Sequence, residues 1–446
     1  MYKRSIFIFR RDLRLFDNTA LNMALKNSEE VFLCFILDPR QIEKNAFKSQ
    51  HAIDFMIESI IDLSKQLQSG HFHILYGKAD EVILDTIKRL GADAVFVNKD
   101  YTPFSIRRDK TIGQICVSLG LEFNSYHDCL LNPPDSIVKS DGKPYSVFTP
   151  FYNKASLNPV SKPKKLQQGK FLDKKFHDED FNKYLQNTRK ALIGGRENAL
   201  KILRNTKRFA NYSKERDMPF LDATTKLSAH LKFGTVSVRE AYHTFQKNLG
   251  ANNPLLRQFY WRDFWTQIAY NYPYIFGESF HKKFDQIKWN QDKNVFKRWC
   301  EGKTGFPFID AGMRELNETG FMHNRARMAT ASFLTKDLHM DWRWGEKYFA
   351  QKLIDYDPSV NNGNWQWAAS TGCDAQPYFR VFNPWRQQER FDPNCKYIKR
   401  WIPELKAIEP KDIHKIKNKP VEGYPKPMVE HKTEADRAKA IYRSVN

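Results

Sequence analysis

Residues 355–380 read DYDPSVNNGNWQWAASTGCDAQPYFR. Three amide side chains surround one glycine in this stretch, and two tryptophans, Trp365 and Trp367, follow in the spacing WxW. Amides and small residues let a polar planar ring approach the backbone, and indole rings can stack on such a ring or pass electrons to it. A buried turn capped by aromatic core residues is the alternative, and it would be favoured for an isolated WxW. Each buried amide needs its own hydrogen-bond partner, so the density of amides favours a cofactor pocket.

The whole chain has 446 residues and a formal net charge of +21, from 72 basic and 51 acidic side chains. This length is sufficient for two domains with full cores, and the hydrophobic content of 41% is that of a globular protein. An excess of basic residues is expected of a protein that binds a polyphosphate chain. A genome biased toward Lys and Asn codons explains part of this excess. No stretch predicts a membrane span or a signal peptide. The six cysteines form no CxxC pair, so no metal site is predicted.

Short β-rich runs alternate with helical patterns in the first part of the chain. Four apolar runs, at residues 5–9, 31–37, 72–75 and 94–97, have the composition of strands that are buried on both faces. The first long helical pattern is predicted to end at Gly70 and the next at Gly91. This alternation predicts a parallel, Rossmann-like α/β domain over residues 1–132. No GxGxxG follows the first run, so no dinucleotide site is predicted there.

The pattern changes twice further along the chain. A Lys-rich segment at residues 133–194 is interrupted by prolines and has no sustained periodicity, which predicts an interdomain connector. Gly194 and Gly195 then precede a new helical pattern, and nearly everything beyond is helical. All ten tryptophans lie between Trp261 and Trp401. The sequence therefore predicts an all-helical domain over residues 195–446, whose function differs from that of the first domain.

Two helices are predicted near residue 320. Ile309, Met313 and Leu316 form the core face of the first helix, which Gly320 ends. The second helix starts near Asn324, a residue type that favours N-caps.

NNGNWQWAASTG followed by DAQPYFRVFNP resembles the flavin-site signature of the photolyase/cryptochrome family. The resemblance extends from FIFRRDLR at residues 7–14 to about residue 405 and is strongest at residues 302–384. It implies an N-terminal antenna domain with a light-harvesting chromophore at the strand ends, and a C-terminal helical domain that binds FAD. The chain is most similar to the microbial enzymes that repair cyclobutane pyrimidine dimers. The implied function is light-driven repair, in which excited reduced FAD donates an electron to a lesion flipped out of the duplex, as photolyases do.

The resemblance assigns a set of residues to FAD. Hydroxyl groups at residues 224–228 can cap the next helix or, with their backbone N–H groups, hold a phosphate, and the resemblance favours the FAD pyrophosphate. Arg327 and Asp355 match an ion pair around the isoalloxazine. Asn361 aligns with the residue that faces flavin N5, where an amide can accept from N5–H or donate to a bare N5. The predicted cofactor-binding residues are Tyr212, Thr224, Thr225, Lys226, Leu227, Ser228, Arg327, Asp355, Asp357 and Asn361.

Three tryptophans have the spacings of the relay by which this family photoreduces its flavin from the protein surface. They are Trp289, Trp342 and Trp365. Core packing is the usual interpretation of single indoles, but the match at all three positions favours the relay. These three residues and Asn361 are the predicted catalytic residues.

A helical stripe formed by Gln258, Trp261 and Trp265 is a candidate lesion platform. Such a stripe is usually core, but an indole beside an amide can also stack on a flipped base and bond to its edge. The resemblance implies that Trp261 stacks on the dimer, and that Glu is usual at position 258. Gln is associated with the (6-4) and animal-cryptochrome branches, whereas Asn324 and Met328 match the cyclobutane-dimer enzymes. The predicted DNA-binding residues are Arg216, Gln258, Trp261, Asn324, Arg325, Met328, Trp367 and Arg380.

Several alternatives stay open at this point. A cryptochrome-type blue-light photoreceptor would carry a C-terminal extension, and a (6-4) photolyase is supported by Gln258. A third alternative, a plain flavoprotein electron carrier, would not account for the positive net charge of the chain. Residues 100–109 lack the Asn-Glu pair associated with folate binding, which favours a deazaflavin, a second flavin or no chromophore there. Folate stays open as a further alternative for the second antenna chromophore. The expected partner is DNA that contains pyrimidine dimers. The protein is expected to be a monomer without membrane contact, and to be located in the cytoplasm, or in the nucleus of a eukaryote.

Overall fold

The computed structural model describes residues 1–174, 176 and 178–445. In this part of the chain, one parallel sheet is formed by β1 (Tyr2–Phe9), β2 (Ser28–Leu37), β3 (Phe72–Tyr76), β4 (Ala94–Asn98), β5 (Glu122–Tyr126) and β6 (Lys170–Phe171).

Helices make up most of the remaining regular structure. They are α1 (Thr19–Asn27), α2 (Pro39–Ile42), α3 (Gln50–Ser64), α4 (Ala79–Leu90), α5 (Pro103–Ser118), α6 (Phe148–Ala155), α7 (Arg196–Arg204), α8 (Tyr212–Glu215), α9 (Ser228–Phe233), α10 (Val238–Leu249), α11 (Arg257–Asn271), α12 (Lys293–Cys300), α13 (Pro307–Thr319), α14 (Asn324–Ser332), α15 (Trp342–Lys352), α16 (Pro358–Ala369), α17 (Pro384–Phe391), α18 (Lys396–Trp401), α19 (Pro410–His414) and α20 (His431–Arg443). Short 3₁₀ turns lie at Phe181–Tyr184, Thr206–Phe209, Pro219–Leu221, Pro273–Ile275, Lys282–Gln286 and Pro403–Leu405, and a π-helical turn at Phe333–Asp337.

The strand order of the sheet is β3-β2-β1-β4-β5, and β6 pairs with the start of β2. The chain moves outward from β1 to β2 and β3, and then returns to place β4 and β5 on the other side. The carboxyl ends of β1 and β4 therefore flank the point where the strand order reverses, which is where open α/β sheets bind ligands. The four predicted strands are confirmed, and β5 and β6 were not among them.

Two glycine positions test the helix ends that were predicted in this domain. Gly91 ends α4 with a φ of 58°, as predicted. The prediction for Gly70 is wrong, because α3 ends at Ser64 and the chain continues in turns. Gly70 takes its φ of 87° inside those turns.

The chain forms two compact units. Unit 1 contains Met1–Thr188, Leu192–Ala210 and Thr225–Asn271, and unit 2 contains Arg189–Ala191, Asn211–Thr224 and the chain from Tyr272 onward. Helices α7, α9, α10 and α11 thus group with the sheet, which differs from the division predicted near residue 195. The predicted connector contains α6 and β6.

Buried polar contacts explain why these helices group with the sheet. Arg239 of α10 donates to the carboxylates of Asp17 and Asp128, both at 2.8 Å. Asp263 of α11 accepts from the backbone N–H of Asn132 at 2.8 Å. Such bonds are expensive to break in a buried site, so they tie α10 and α11 to unit 1.

Unit 2 has its own helical core. Ile309, Met313 and Leu316 are fully buried on α13, as predicted, and Gly320 ends that helix with a φ of 68°. Helix α14 begins at Asn324, but its cap is His323, whose Nδ1 accepts from the backbone N–H of Arg325 at 3.1 Å. The predicted fold class, a parallel α/β domain followed by a helical region, is confirmed. Within the described residues, no helix has both the length and the apolar character that are needed to cross a membrane.

Candidate functional site

Helix α16 of unit 2 carries the amides and tryptophans of the stretch at residues 355–380. Asp357 caps this helix, since its Oδ1 accepts from the backbone N–H groups of Ser359 at 3.1 Å and Val360 at 3.2 Å. Pro358 suits the first helical position because it lacks an N–H. The helix ends at Ser370 with a φ of 60°. The Asp357 carboxylate therefore has a structural task, and its contact with a cofactor stays a prediction.

The buried amides of α16 bond to the protein itself. Asn362 donates to the carbonyl of Ile275 at 3.0 Å. Gln366 donates to the Asn362 side chain at 3.0 Å and accepts from the backbone N–H of Phe280 at 2.8 Å. These two amides hold α16 in place, as the rule for buried polar groups requires.

Asn361 is the half-buried exception on this helix. Its Nδ2 donates to the backbone carbonyl and to Oε1 of Glu346, both at 3.2 Å. Its Oδ1 accepts no hydrogen bond from the residues that the structure describes. Burial raises the pKa of the Glu346 carboxyl to about 7, and the bond from Asn361 acts in the opposite direction. A ligand can therefore use the Asn361 oxygen.

The predicted ion pair between Arg327 and Asp355 is confirmed. Nη2 of Arg327 donates to Oδ1 and Oδ2 of Asp355 at 3.1 and 3.0 Å. Nε of the same guanidinium donates to the carbonyl of Met322 at 2.7 Å, so its plane is held at two sides. A fixed charge-assisted pair of this type can present both a donor and an acceptor edge to a planar polar ring.

The predicted relay tryptophans belong to unit 2. Trp342 and Trp365 lie in one buried cluster, and Trp289 packs against that cluster. Gly345 makes room for Trp365, because a Cβ at this position would lie 2.2 Å from the indole ring. The ring neighbours of Trp365 are Phe349 at 4.9 Å and Trp299 at 6.2 Å between centroids. Nothing in these contacts tests electron transfer, so the relay stays a prediction.

Helix α14 brings two predicted DNA-binding residues together. Nδ2 of the exposed Asn324 lies 3.5 Å from the sulfur of Met328, one turn further on. Arg325 has a different environment, because its guanidinium pairs with Asp217 at 2.8 Å and lies 4.2 Å from the Phe391 ring. Its positive charge is thus partly balanced inside the protein.

The other predicted DNA residues of unit 2 lie apart in the chain and differ in exposure. Arg380 is exposed, and its neighbour Phe379 is 55% exposed. Trp367 is half-buried on α16. Arg216 lies 5.4 Å from the ring centroid of Tyr212, a buried residue whose pKa is raised by burial.

Unit 1 carries the predicted lesion platform on α11. The Trp261 ring stacks on Phe148 with centroids 3.5 Å apart and an angle of 6° between the planes. Trp265 is a second ring neighbour at 5.7 Å. Gln258, one turn earlier, donates to the carbonyl of Pro254 at 3.4 Å. Trp261 is half-buried, so an aromatic support holds a ring that solvent can still reach in part.

The hydroxyl segment at residues 224–228 leads into α9 through a local turn. Thr225 Oγ1 accepts from the backbone N–H of Leu227 at 3.3 Å, directly before α9. Leu227 is buried, and Lys226 has a left-handed φ of 53°. This bond closes a turn before the N-cap of α9, which is Leu227 and makes no side-chain capping bond, so the capping and the phosphate-binding interpretations of this segment both stay predictions.

Charged residues cluster at the carboxyl edge of the sheet, after β1 and β4. Arg11 pairs with Asp100 at 3.2 Å, and Asp109 accepts from both Arg10 and Arg108. Burial alone would raise the pKa of Asp100, but the guanidinium groups of Arg11, Arg108 and Arg10 outweigh it and lower the pKa to about 2. The edge therefore holds ionised groups of both signs in a protected place.

Comparison with known proteins places this geometry in a family. The chain matches the sequence profile of DNA photolyase over residues 5–167 and that of the FAD binding domain of DNA photolyase over residues 255–444. The chain belongs to the DNA photolyase family. A deoxyribodipyrimidine photo-lyase of Vibrio cholerae is 34% identical to it, over 98% of each chain.

Solved structures agree with this assignment. An archaeal photolyase from Sulfolobus tokodaii, whose crystal structure contains two FAD molecules, is 44% identical over 99% of this chain and all of the other, with a TM-score of 0.91. A cryptochrome of Synechocystis has the same TM-score at 27% identity, over 99% of each chain. The fold alone thus does not separate repair from signalling. The predicted family, the FAD-binding domain and the photolyase class of enzyme are confirmed.

The structure also shows residues that sequence patterns did not identify. Glu346 holds Asn361, Phe148 supports Trp261, and Asp217 balances Arg325. Each comes from a different segment than its partner, and Phe148 lies in the predicted connector. No periodicity or motif signals such contacts.

Proposed function

We propose that the chain repairs cyclobutane pyrimidine dimers in DNA, in a light-driven reaction that uses FAD. One observation carries the choice of lesion: the Asn324–Met328 pair on α14 stands where the (6-4) enzymes are expected to have histidine. Reversal of a (6-4) product moves a hydroxyl or amino group between rings, which requires a positioned acid. Opening of a cyclobutane ring needs an electron and no obligatory proton from the protein.

His323 lies beside this pair, and it does not discriminate between the two lesions. It is 4% exposed, and its Nδ1 is used to cap α14. A neutral histidine that accepts a backbone hydrogen bond at Nδ1 carries its proton at Nε2. The choice of lesion therefore rests on Asn324 and Met328 and not on His323.

The residues of unit 2 fit a flavin. The Arg327–Asp355 pair offers a donor and an acceptor edge, and Asn361 has an oxygen that no described residue uses. Reduced FAD supplies the electron when it absorbs light. Tyr212, Asp357 and residues 224–228 are proposed to contact the remainder of the cofactor, and the Trp365, Trp342 and Trp289 side chains are proposed to deliver electrons for its reduction.

The test is illumination of the reduced protein with oligonucleotides that carry one lesion each. We expect turnover of the cyclobutane dimer and none of the (6-4) product. Gln258→Glu should raise dimer repair or leave it unchanged, because a carboxyl can share a proton with the dimer edge where an amide cannot. Turnover of the (6-4) product alone would overturn the choice of lesion, and turnover of neither would favour the photoreceptor.

We also propose a second flavin as the antenna chromophore at the carboxyl edge of the sheet. Support comes from the Sulfolobus tokodaii photolyase with its two FAD molecules, at 44% identity. At this edge the Arg40 guanidinium lies 5.3 Å from the ring centroid of Phe104, and Asp38 and Asp80 already pair with its charge.

Release of the chromophores by denaturation tests the antenna. We expect two flavins per chain in the absorbance spectrum of the supernatant. One flavin alone, or one flavin with a deazaflavin or folate spectrum, would overturn the proposal.

We propose further that the chain acts as a monomer in the compartment that holds the DNA, which is the cytoplasm, or the nucleus of a eukaryote. All residues assigned to FAD and DNA come from one chain, so no second copy is needed to complete either set. Sedimentation should show a single species near 52.6 kDa.

A further inference from the structure

We propose that Glu346 is a positioning residue that holds the Asn361 amide with its oxygen directed at the flavin. The inference rests on the proposed function, in which Asn361 faces flavin N5. It assigns a role to a residue of α15 that has no contact with the reacting lesion in that proposal.

The geometry of the pair defines the orientation of the amide. Nδ2 of Asn361 donates to two acceptors of one residue, the backbone carbonyl and Oε1 of Glu346, both at 3.2 Å. An amide nitrogen carries two N–H donors, so both are used by Glu346. Because the amide is planar, its oxygen then points away from α15, and no described residue donates to it.

The reversed amide is disfavoured by the same two contacts. It would place Oδ1 of Asn361 against the Glu346 carbonyl and carboxyl oxygens, so three acceptors would meet without a proton when Glu346 is ionised. The backbone carbonyl never donates, and it therefore opposes the reversed orientation in every protonation state of the Glu346 side chain. Glu346 is 8% exposed, so water cannot easily compensate for the lost bonds.

The orientation of the Asn361 amide decides whether it accepts a hydrogen bond from flavin N5–H or donates one to a bare N5. With its oxygen outward, Asn361 accepts a hydrogen bond from N5–H, which reduced flavin has and oxidised flavin lacks. It cannot donate to the bare N5 of the oxidised ring. Glu346 thereby makes Asn361 favour reduced flavin, which is the state that repair requires.

The experiment measures the reduction equilibrium of the bound flavin against a reference dye, in the intact chain loaded with FAD. Glu346→Leu removes the carboxyl contact and keeps the backbone carbonyl, so we expect the equilibrium constant for reduction to fall about threefold, at the lower end for one neutral hydrogen bond. Glu346→Met is a second apolar variant, in case the branched side chain prevents FAD loading. Asn364→Ala removes an exposed amide from the same helix and should leave the equilibrium unchanged.

A double variant separates positioning from a general structural effect. Asn361→Ala should lower the reduction constant by itself, and Glu346→Leu should then add nothing, because the amide that it orients is gone. Wild-type reduction behaviour in both Glu346 variants would overturn the proposal, and so would a full additional effect in the Asn361→Ala background. Failure of the wild-type chain to bind FAD would instead overturn the proposed function.

Discussion

At the scale of single residues, Trp261 has the clearest expected role in lesion binding. Its ring stacks on Phe148 with centroids 3.5 Å apart and is half-buried. Trp261→Ala should weaken binding of dimer-containing duplex by about 1–3 kcal/mol, the range for loss of base–aromatic stacking. Fluorescence anisotropy with damaged and undamaged duplex measures the difference. Trp261→Phe, which keeps a stacking face, should retain most of the affinity. An equal loss for both duplexes would contradict the stacking role.

The relay tryptophans can be tested one side chain at a time. Trp342→Phe and Trp365→Phe should block light-driven reduction of oxidised flavin in the presence of an external thiol, because a phenyl ring is much harder to oxidise than an indole. Dimer repair by the chemically reduced variants should survive, since the relay only prepares the cofactor. Trp344→Phe is the matched control, as Trp344 packs against the same core without a predicted relay role. Normal photoreduction in both variants would show that these indoles are core residues.

At the scale of elements, α11 carries a buried carboxyl that makes stability depend on pH. Burial raises the pKa of Asp263 from 3.8 to about 7, although the N–H groups of Asn132 and Leu131 and the charge of Arg262 oppose it. The folded state therefore holds a proton that the unfolded chain has lost, and this contribution disappears as the pH rises through about 7. In Asp263→Asn the free energy of unfolding should fall less steeply between acid and neutral pH, by up to about 1.4 kcal/mol per pH unit.

Denaturant unfolding at several pH values measures this slope. The control is Glu122→Gln, which changes an exposed carboxyl on β5. Its free energy of unfolding should show the same dependence on pH as that of the unmodified chain. At acid pH, Asp263→Asn should be less stable than the unmodified chain, because an amide cannot accept with both ends as Oδ1 and Oδ2 do from Leu131 and Asn132. An unchanged slope would mean that Asp263 does not titrate in this range.

At the scale of the whole molecule, the charge of +21 predicts strongly salt-dependent DNA binding. Each phosphate contact should add about −0.9 to the slope of log K against log salt concentration. Arg380→Ala removes an exposed guanidinium. It should make this slope shallower by about 0.9, the contribution of one phosphate contact. Arg325→Ala should change it less, because Asp217 already pairs with Arg325 at 2.8 Å. Preference for damaged duplex should persist at high salt, and its loss at low salt would contradict a lesion pocket.

The sequence by itself determined the class of the fold and the family. Strand and helix periodicity are local properties, so β1 to β4, the core face of α13 and the ends of α4 and α13 could be predicted from neighbouring residues. The WxW stretch and its amides identified the family because they lie within one helix, α16. The end of α3 was predicted too late, because the helix stops at Ser64 and Gly70 takes its left-handed φ in the turns that follow.

The tertiary structure alone decided how the predicted residues are held. The Asn361 amide is oriented by Glu346, the Trp261 ring is supported by Phe148, and the Arg325 charge is balanced by Asp217. The grouping of α10 and α11 with the sheet likewise depends on buried bonds to residues far away in the chain. Such contacts form between segments whose local patterns are independent of each other. Their energies come from burial and partner geometry, which exist only after the chain has folded.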